Sequence, residues 1–161
     1  MSKIILREIG KIYRALNSFS DSILKLHNLE KGQYQYLLRI KESPGINQQN
    51  LSSILLVDKT TTAKSVNKLV NKGYVTKKIA VVDKRNFNLY ATEKGKELCD
   101  FLDKEEAFVT QISLEGLDLK EQEALLKLLK KITANVTPLY NESKKNKKEY
   151  FINLINKENE Y

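Results

Sequence analysis

Apolar residues near both ends of this chain recur in alternating steps of four and three, a period that fits one face of an α-helix and excludes a strand. At the start the series is Ile5, Ile9, Ile12, Leu16, Phe19, Ile23 and Leu26, one helix face sustained over roughly seven turns. No proline interrupts it, and Gly10 lowers helix propensity only modestly. Later in the chain, Leu98, Phe101, Leu102, Phe108, Val109 and Ile112 repeat the rhythm in a helix that Thr92 caps. After a break at Glu115 and Gly116 a last strong helix, residues 120–140, carries Leu125, Leu129, Ile132, Val136 and Leu139.

The middle of the chain is punctuated differently. A helix over residues 31–42 places Tyr34, Leu37 and Leu38 on one side, and Ser43-Pro44-Gly45 ends it. A short helix over residues 48–55 follows, with Asn47 as N-cap. Asp58 caps a further helix that turns Val66, Leu69 and Val70 inward and stops at Gly73. The residues then become strand formers: Tyr74, Val75 and Thr76, then Ile79 to Val82, then Asn88 to Ala91, around a polar turn at Asp83-Lys84-Arg85-Asn86. Two short helices joined by a tight turn and followed by a β-hairpin make a winged helix-turn-helix. The expected fold is mainly α with a small β-hairpin wing. The helices at the two ends carry more apolar stripe than so small a reader needs, so they are read as dimerisation helices.

Charge is segregated along this framework. Residues 47–91 hold Lys59, Lys64, Lys68, Lys72, Lys77, Lys78, Lys84 and Arg85 against Asp58 and Asp83, which is +6 of the chain's formal +8, with no Glu in the stretch. Such a patch is suited to neutralising phosphates. In the second short helix Lys59, Thr60, Ala63, Lys64, Asn67 and Asn71 lie opposite the apolar side. Lys can reach guanine acceptors, Asn can pair with adenine, and Thr can offer its hydroxyl or its methyl. At the hairpin tip Lys84 and Arg85 could enter a minor groove, with Asp83 orienting the guanidinium. The expected partner is double-stranded DNA; the alternative is a winged-helix interaction module whose basic face docks an acidic protein and keeps only residual DNA affinity.

Other classes lack their residues. One Cys and one His supply no metal set, the six Gly form no phosphate loop, and no nucleophile–base pair or paired carboxylates mark a cleft. No enzyme activity and no cofactor are expected. The apolar runs are only a few residues long, as at Ile54-Leu55-Leu56-Val57, so no membrane span is expected, and the absence of a signal-peptide core places the chain in the cytoplasm.

With these residues in view, the chain resembles the MarR family, regulators of the multiple-antibiotic-resistance type. The reader pattern is carried by residues 51–64, LSSILLVDKTTTAK, then by Val66, Leu69 and Lys72-Gly73-Tyr74-Val75. The wing signature is carried by Asp83-Lys84-Arg85 and Thr92-Glu93-Lys94-Gly95, and Leu29, Gln33 and Leu37 resemble the family's second helix. Departures are Leu56 where the turn often has Gly, Thr62 and Ser65 in place of aliphatics, Lys64 where many members have Arg, and Lys77-Lys78 in place of a frequent Arg. The resemblance implies a homodimer on a roughly palindromic operator, commonly a repressor released by a small ligand or an oxidant. It implies one MarR-like domain over 1–161, with dimerisation helices at 1–28 and 116–161, the reader at 29–95 and a connecting helix at 96–115. The DNA-contact set is then Lys59, Thr60, Thr61, Ala63, Lys64, Asn67, Lys68, Asp83, Lys84 and Arg85.

For the effector, a site between the first, second and fifth helices drawing on Tyr13, Tyr34, Tyr36 and Arg39 could hold a small aromatic or anionic ligand; tyrosines at helical spacing equally suit a core. Cys99 follows the wing, whereas peroxide-sensing relatives carry their Cys in the first helix, so it is read as a packed small residue. His27, without neighbouring ligands, is read as structural or exposed. The segment 140–161 combines the basic run at 144–148 with Tyr150, Phe151, Leu154 and Ile155, and is open between phosphate contact, a clasp on the partner subunit and a frayed tail.

Overall fold

The computed structural model describes residues 2–30, 32–79, 87–145 and 148–158. Contacts divide the chain into two compact units, Met1–Ser113 and Leu114–Tyr161.

The first unit begins with α1 (Ser2–Leu24), which tightens into a 3₁₀ turn over Lys25–His27. Ser20 and Leu24, one turn apart on α1, are buried, whereas Leu26, the last residue of the predicted stripe, falls in the 3₁₀ turn and is 85% exposed. Helix α2 (Gln33–Glu42) supplies the centre of the core through Tyr36, Leu37, Leu38 and Ile40. Strand β1 (Ile46–Asn47), helix α3 (Gln48–Leu55) and helix α4 (Lys59–Asn71) follow, then β2 (Val75–Ile79), β3 (Phe87–Ala91) and α5 (Glu93–Ser113).

The sheet is antiparallel in the order β1-β3-β2, with Lys77 opposite Leu89 and Ile46 opposite Leu89 on the other side. The sequence predicts only the hairpin. Strand β1 is two residues long, too short for any alternation to register. It gives Leu89, fully buried, a neighbour on each flank. The predicted first strand also divides differently, because Thr76 to Ile79 is one continuous ladder. The expected strand residues Ala80, Val81 and Val82 lie outside the described residues.

Helix α5 starts at a device built on Thr92. Its Oγ1 accepts from the Gly95 N–H (3.1 Å) and donates to the Gly73 carbonyl (2.6 Å), while its N–H donates to the Tyr74 carbonyl (3.0 Å). The helix lies so close to the wing root that a Cβ on Gly95 would fall 2.1 Å from the Tyr74 oxygen. Glycine is required there by contact.

The second unit contains α6 (Leu119–Ser143) and α7 (Lys148–Glu158). A reciprocal capping box opens α6: Asp118 accepts from the Glu121 N–H (2.9 Å) and Glu121 accepts from the Asp118 N–H (2.8 Å). Leu125, Leu129, Val136 and Leu139 of the predicted stripe remain between 37% and 55% exposed. Leu114, Leu119, Leu125, Leu126 and Leu129 line a shallow apolar groove of about 390 Å³. Within the segment left open in sequence, Lys148–Glu158 form α7, whose Tyr150 and Phe151 rings meet edge to face at 5.5 Å.

Candidate nucleic-acid interface

The two helices of the reader are each started by a side chain. The Asn47 side-chain oxygen accepts from the Asn50 N–H (2.8 Å), and Asp58 accepts from both the N–H and the hydroxyl of Thr61 (2.7 and 2.6 Å). Between them the chain turns at Leu56, whose φ of 50° lies in the left-handed region that side chains disfavour. Leu56 is therefore the turn residue itself, as the family pattern of glycine at this position implies. Its cost is offset by the carbonyls it satisfies, since its N–H serves the end of α3 and the Val57 N–H donates to the Ser52 carbonyl (3.0 Å).

Helix α4 turns Thr62, Val66 and Leu69 inward, all with no exposed surface. Its outward face carries Lys59, Thr60, Thr61, Lys64, Asn67 and Lys68, with Ala63 half-buried at the edge. The predicted contacts on this helix are thus brought to one surface, but they are not equivalent. Thr61 already spends its hydroxyl proton on the cap. Lys68 is ion-paired with Glu30, which precedes α2. Lys72, at the end of α4, donates to the Asn28 carbonyl (2.7 Å) and the Gln33 side-chain oxygen (3.1 Å) and lies 3.5 Å from Glu30. The hydrogen bond that Lys68 donates to the Glu30 carboxylate is the main reason this carboxyl is held below its ordinary range. Lys59 and Lys64 have no ion-pair partner among the described residues and remain available to phosphate.

Asn67 is engaged from the wing. Lys77 on β2 donates to its side-chain oxygen at 2.6 Å, and the same ammonium sits 5.9 Å from the centroid of the Phe87 ring. Sequence reasoning counted Lys77 only within the basic patch, because nothing in the order of residues says which lysine of the pair leans toward α4. Asp83, Lys84 and Arg85 lie outside the described residues. Short of that tip, the cross-strand pair Ile79 and Phe87 is 62% and 44% exposed.

The four residues named for an effector separate. Tyr34 and Arg39 line a concavity of about 430 Å³ with Gln35, Leu38, Ile54, Leu55 and Glu106. Tyr36 is buried in the core, and Tyr13 stands 63% exposed on α1, away from that concavity. A second cleft, about 760 Å³ and unforeseen in sequence, runs between the end of α2, the sheet and the first turns of α5, past Lys41, Lys78, Tyr90, Lys96 and Asp100. Cys99 is fully buried, and burial pushes its thiol up from 9.0 to about 11, in spite of Lys41 nearby. The His27 ring packs on Phe101 with centroids 4.3 Å apart.

Comparison with known proteins agrees with this geometry. The model of the MarR family matches residues 29–87. The uncharacterized HTH-type transcriptional regulator YybA of Bacillus subtilis is 40% identical over 147 residues, covering 91% of this chain and 98% of that protein. A MarR family transcriptional regulator of Listeria monocytogenes, solved in complex with a 26mer DNA, is 38% identical, with 88% of this chain and 94% of that chain covered and a TM-score of 0.85. A MarR protein from Peptoclostridium difficile is 41% identical at a TM-score of 0.82, with coverages of 86% and 91%.

Proposed function

The chain belongs to the MarR family of transcriptional regulators, and from that premise we propose that it binds a specific double-stranded DNA site as a homodimer and represses transcription there. The observation that carries this reading is the outward face of α4, where Lys59, Thr60, Lys64 and Asn67 stand together beside a basic wing. Lys59 and Lys64 neutralise phosphate or reach guanine, while Thr60 and Asn67 meet base edges. The solved complex of the Listeria monocytogenes relative with DNA supports the assignment. A second copy covers the apolar residues left exposed on α1 and α6, and two-fold symmetry then sets two α4 helices about 34 Å apart, one turn of duplex.

A small aromatic or anionic ligand releases the protein from its operator by binding in the concavity beside Tyr34 and Arg39, provided its affinity differs between two spacings of the readers. Repression follows from occupancy of a promoter. The test is a titration of the purified protein against a duplex recovered from its own genome, repeated across salt concentrations. A steep negative slope of log K against log salt, together with loss of affinity in Lys64→Ala, is the expected outcome. A flat salt response or equal affinity for every duplex overturns the reading.

A further inference from the structure

We propose that Lys77 of the wing strand and Asn67 of the recognition helix act as one composite donor, and that the base they select is guanine. This rests on the reading of α4 as the element that lies in the major groove.

An ammonium has hydrogens to give and no lone pair to accept with. Since Lys77 Nζ lies 2.6 Å from the side-chain oxygen of Asn67, the amide must present its oxygen toward β2 and its NH₂ away from it. The contact joins residues ten apart in sequence but on different elements, a helix and a strand. Lys77 is held from a second direction too, by the Phe87 ring of β3, 5.9 Å from the ammonium. Val75, Lys77 and Ile79 share one face of β2, and this face runs from the core, where Val75 is buried, out to Ile79, which is exposed. Lys77 occupies the step between, beside an Asn67 that is itself exposed.

An isolated asparagine reads adenine with both ends of its amide: the oxygen accepts from N6–H and the NH₂ donates to N7. The Lys77 ammonium takes one lone pair of that oxygen and places a positive charge where the N6 amino group would have to approach. What remains facing outward is a set of N–H donors, from Asn67 Nδ2 and from the unused hydrogens of Lys77. Guanine presents two acceptors, O6 and N7, on its major-groove edge; adenine and cytosine each present an amino donor there. The pair therefore matches guanine. Lys77 is a positioning and specificity residue supplied by the wing rather than by the recognition helix.

Selection of bound duplexes from a random pool tests this with the full-length wild type, Asn67→Ala, Lys77→Met, Lys77→Arg and Asn67→Asp. The position that loses its preference in Asn67→Ala is the one the amide reads. At that position the wild type should favour guanine over adenine on the order of tenfold. Lys77→Met should move the preference to adenine, Lys77→Arg should keep guanine, and Asn67→Asp should turn it to cytosine. Lys77 lies outside the core, so melting temperatures close to wild type are expected, and a merely structural role would not move base choice. Guanine retained in Lys77→Met, adenine preferred by the wild type, or guanine retained in Asn67→Asp overturns the proposal while leaving DNA reading by α4 intact. No selected motif in any protein, the wild type included, overturns the reading of α4 and this pairing with it.

Discussion

Thr62 Oγ1 is a fully buried side-chain oxygen without a hydrogen-bond partner among the described residues, on a helix whose other inward positions are aliphatic. A buried hydroxyl left unpaired costs about 1–3 kcal/mol, so Thr62→Val, equal in shape, should stabilise the protein by about 1 kcal/mol. A higher urea midpoint with an unchanged slope is the expected result. The sequence marks Thr62 as a departure from the family's aliphatic; that it is buried deeply enough to orphan its oxygen is decided by packing. Cys99 carries the second expectation at this scale. Its folded thiol is raised from 9.0 to about 11 by burial, so the stability linked to it is complete below pH 9 and is lost as pH climbs toward 11. The difference in unfolding free energy between wild type and Cys99→Ala should therefore shrink across that window, by up to about 1.4 kcal/mol per pH unit. The same burial should keep native Cys99 unreactive to iodoacetamide until denaturant is added.

At the scale of elements, the starts of α3, α4 and α5 were legible because a cap is local. Asn47, Asp58 and Thr92 are each followed within three residues by the N–H they accept from, and a run of sequence contains both partners. The capping box at Asp118 and Glu121 has the same local character, and it moves the start of α6 one residue ahead of the expected position. Strand β1 was not legible, because two residues become a strand only when β3 arrives beside them. Nor was the fit of α5 against the wing root, where Gly95 faces a carbonyl from twenty-one residues earlier. Gly95→Ala places a methyl 2.1 Å from the Tyr74 oxygen, and the backbone must part to admit it. A loss of about 3 kcal/mol or more is expected, read as a lowered melting temperature, together with weakened DNA binding as the wing root is displaced from α4.

For the whole molecule, the exposed apolar residues are the governing fact. Ile5, Ile12 and Phe19 on α1 are 38–56% exposed, and the stripe of α6 is similarly bare, far more apolar surface than scattered single residues account for. Burial of one such side chain contributes roughly 1.5–3 kcal/mol, so replacing Ile12 by Glu should weaken self-association on the order of tenfold or more. Analytical ultracentrifugation should show wild type as a dimer and Ile12→Glu shifted to monomer, with an unchanged far-UV spectrum. If Ile12→Glu remains a dimer at low concentration, α1 is not part of the interface.

The chain's own order of residues determined where helices begin, which faces are apolar, and that the cationic charge gathers in the middle of the chain. These depend on neighbours within a turn or two, so a linear reading reaches them. Tertiary structure alone decided which lysines remain available, because Lys68 and Lys72 meet Glu30, and Lys77 meets Asn67, only when separate elements pack together. It also decided that Tyr34 and Arg39 share a concavity while Tyr36 joins the core. Helical period assigns a side chain to a face; which element that face meets, and which polar atoms it finds there, depends on contacts distant in sequence.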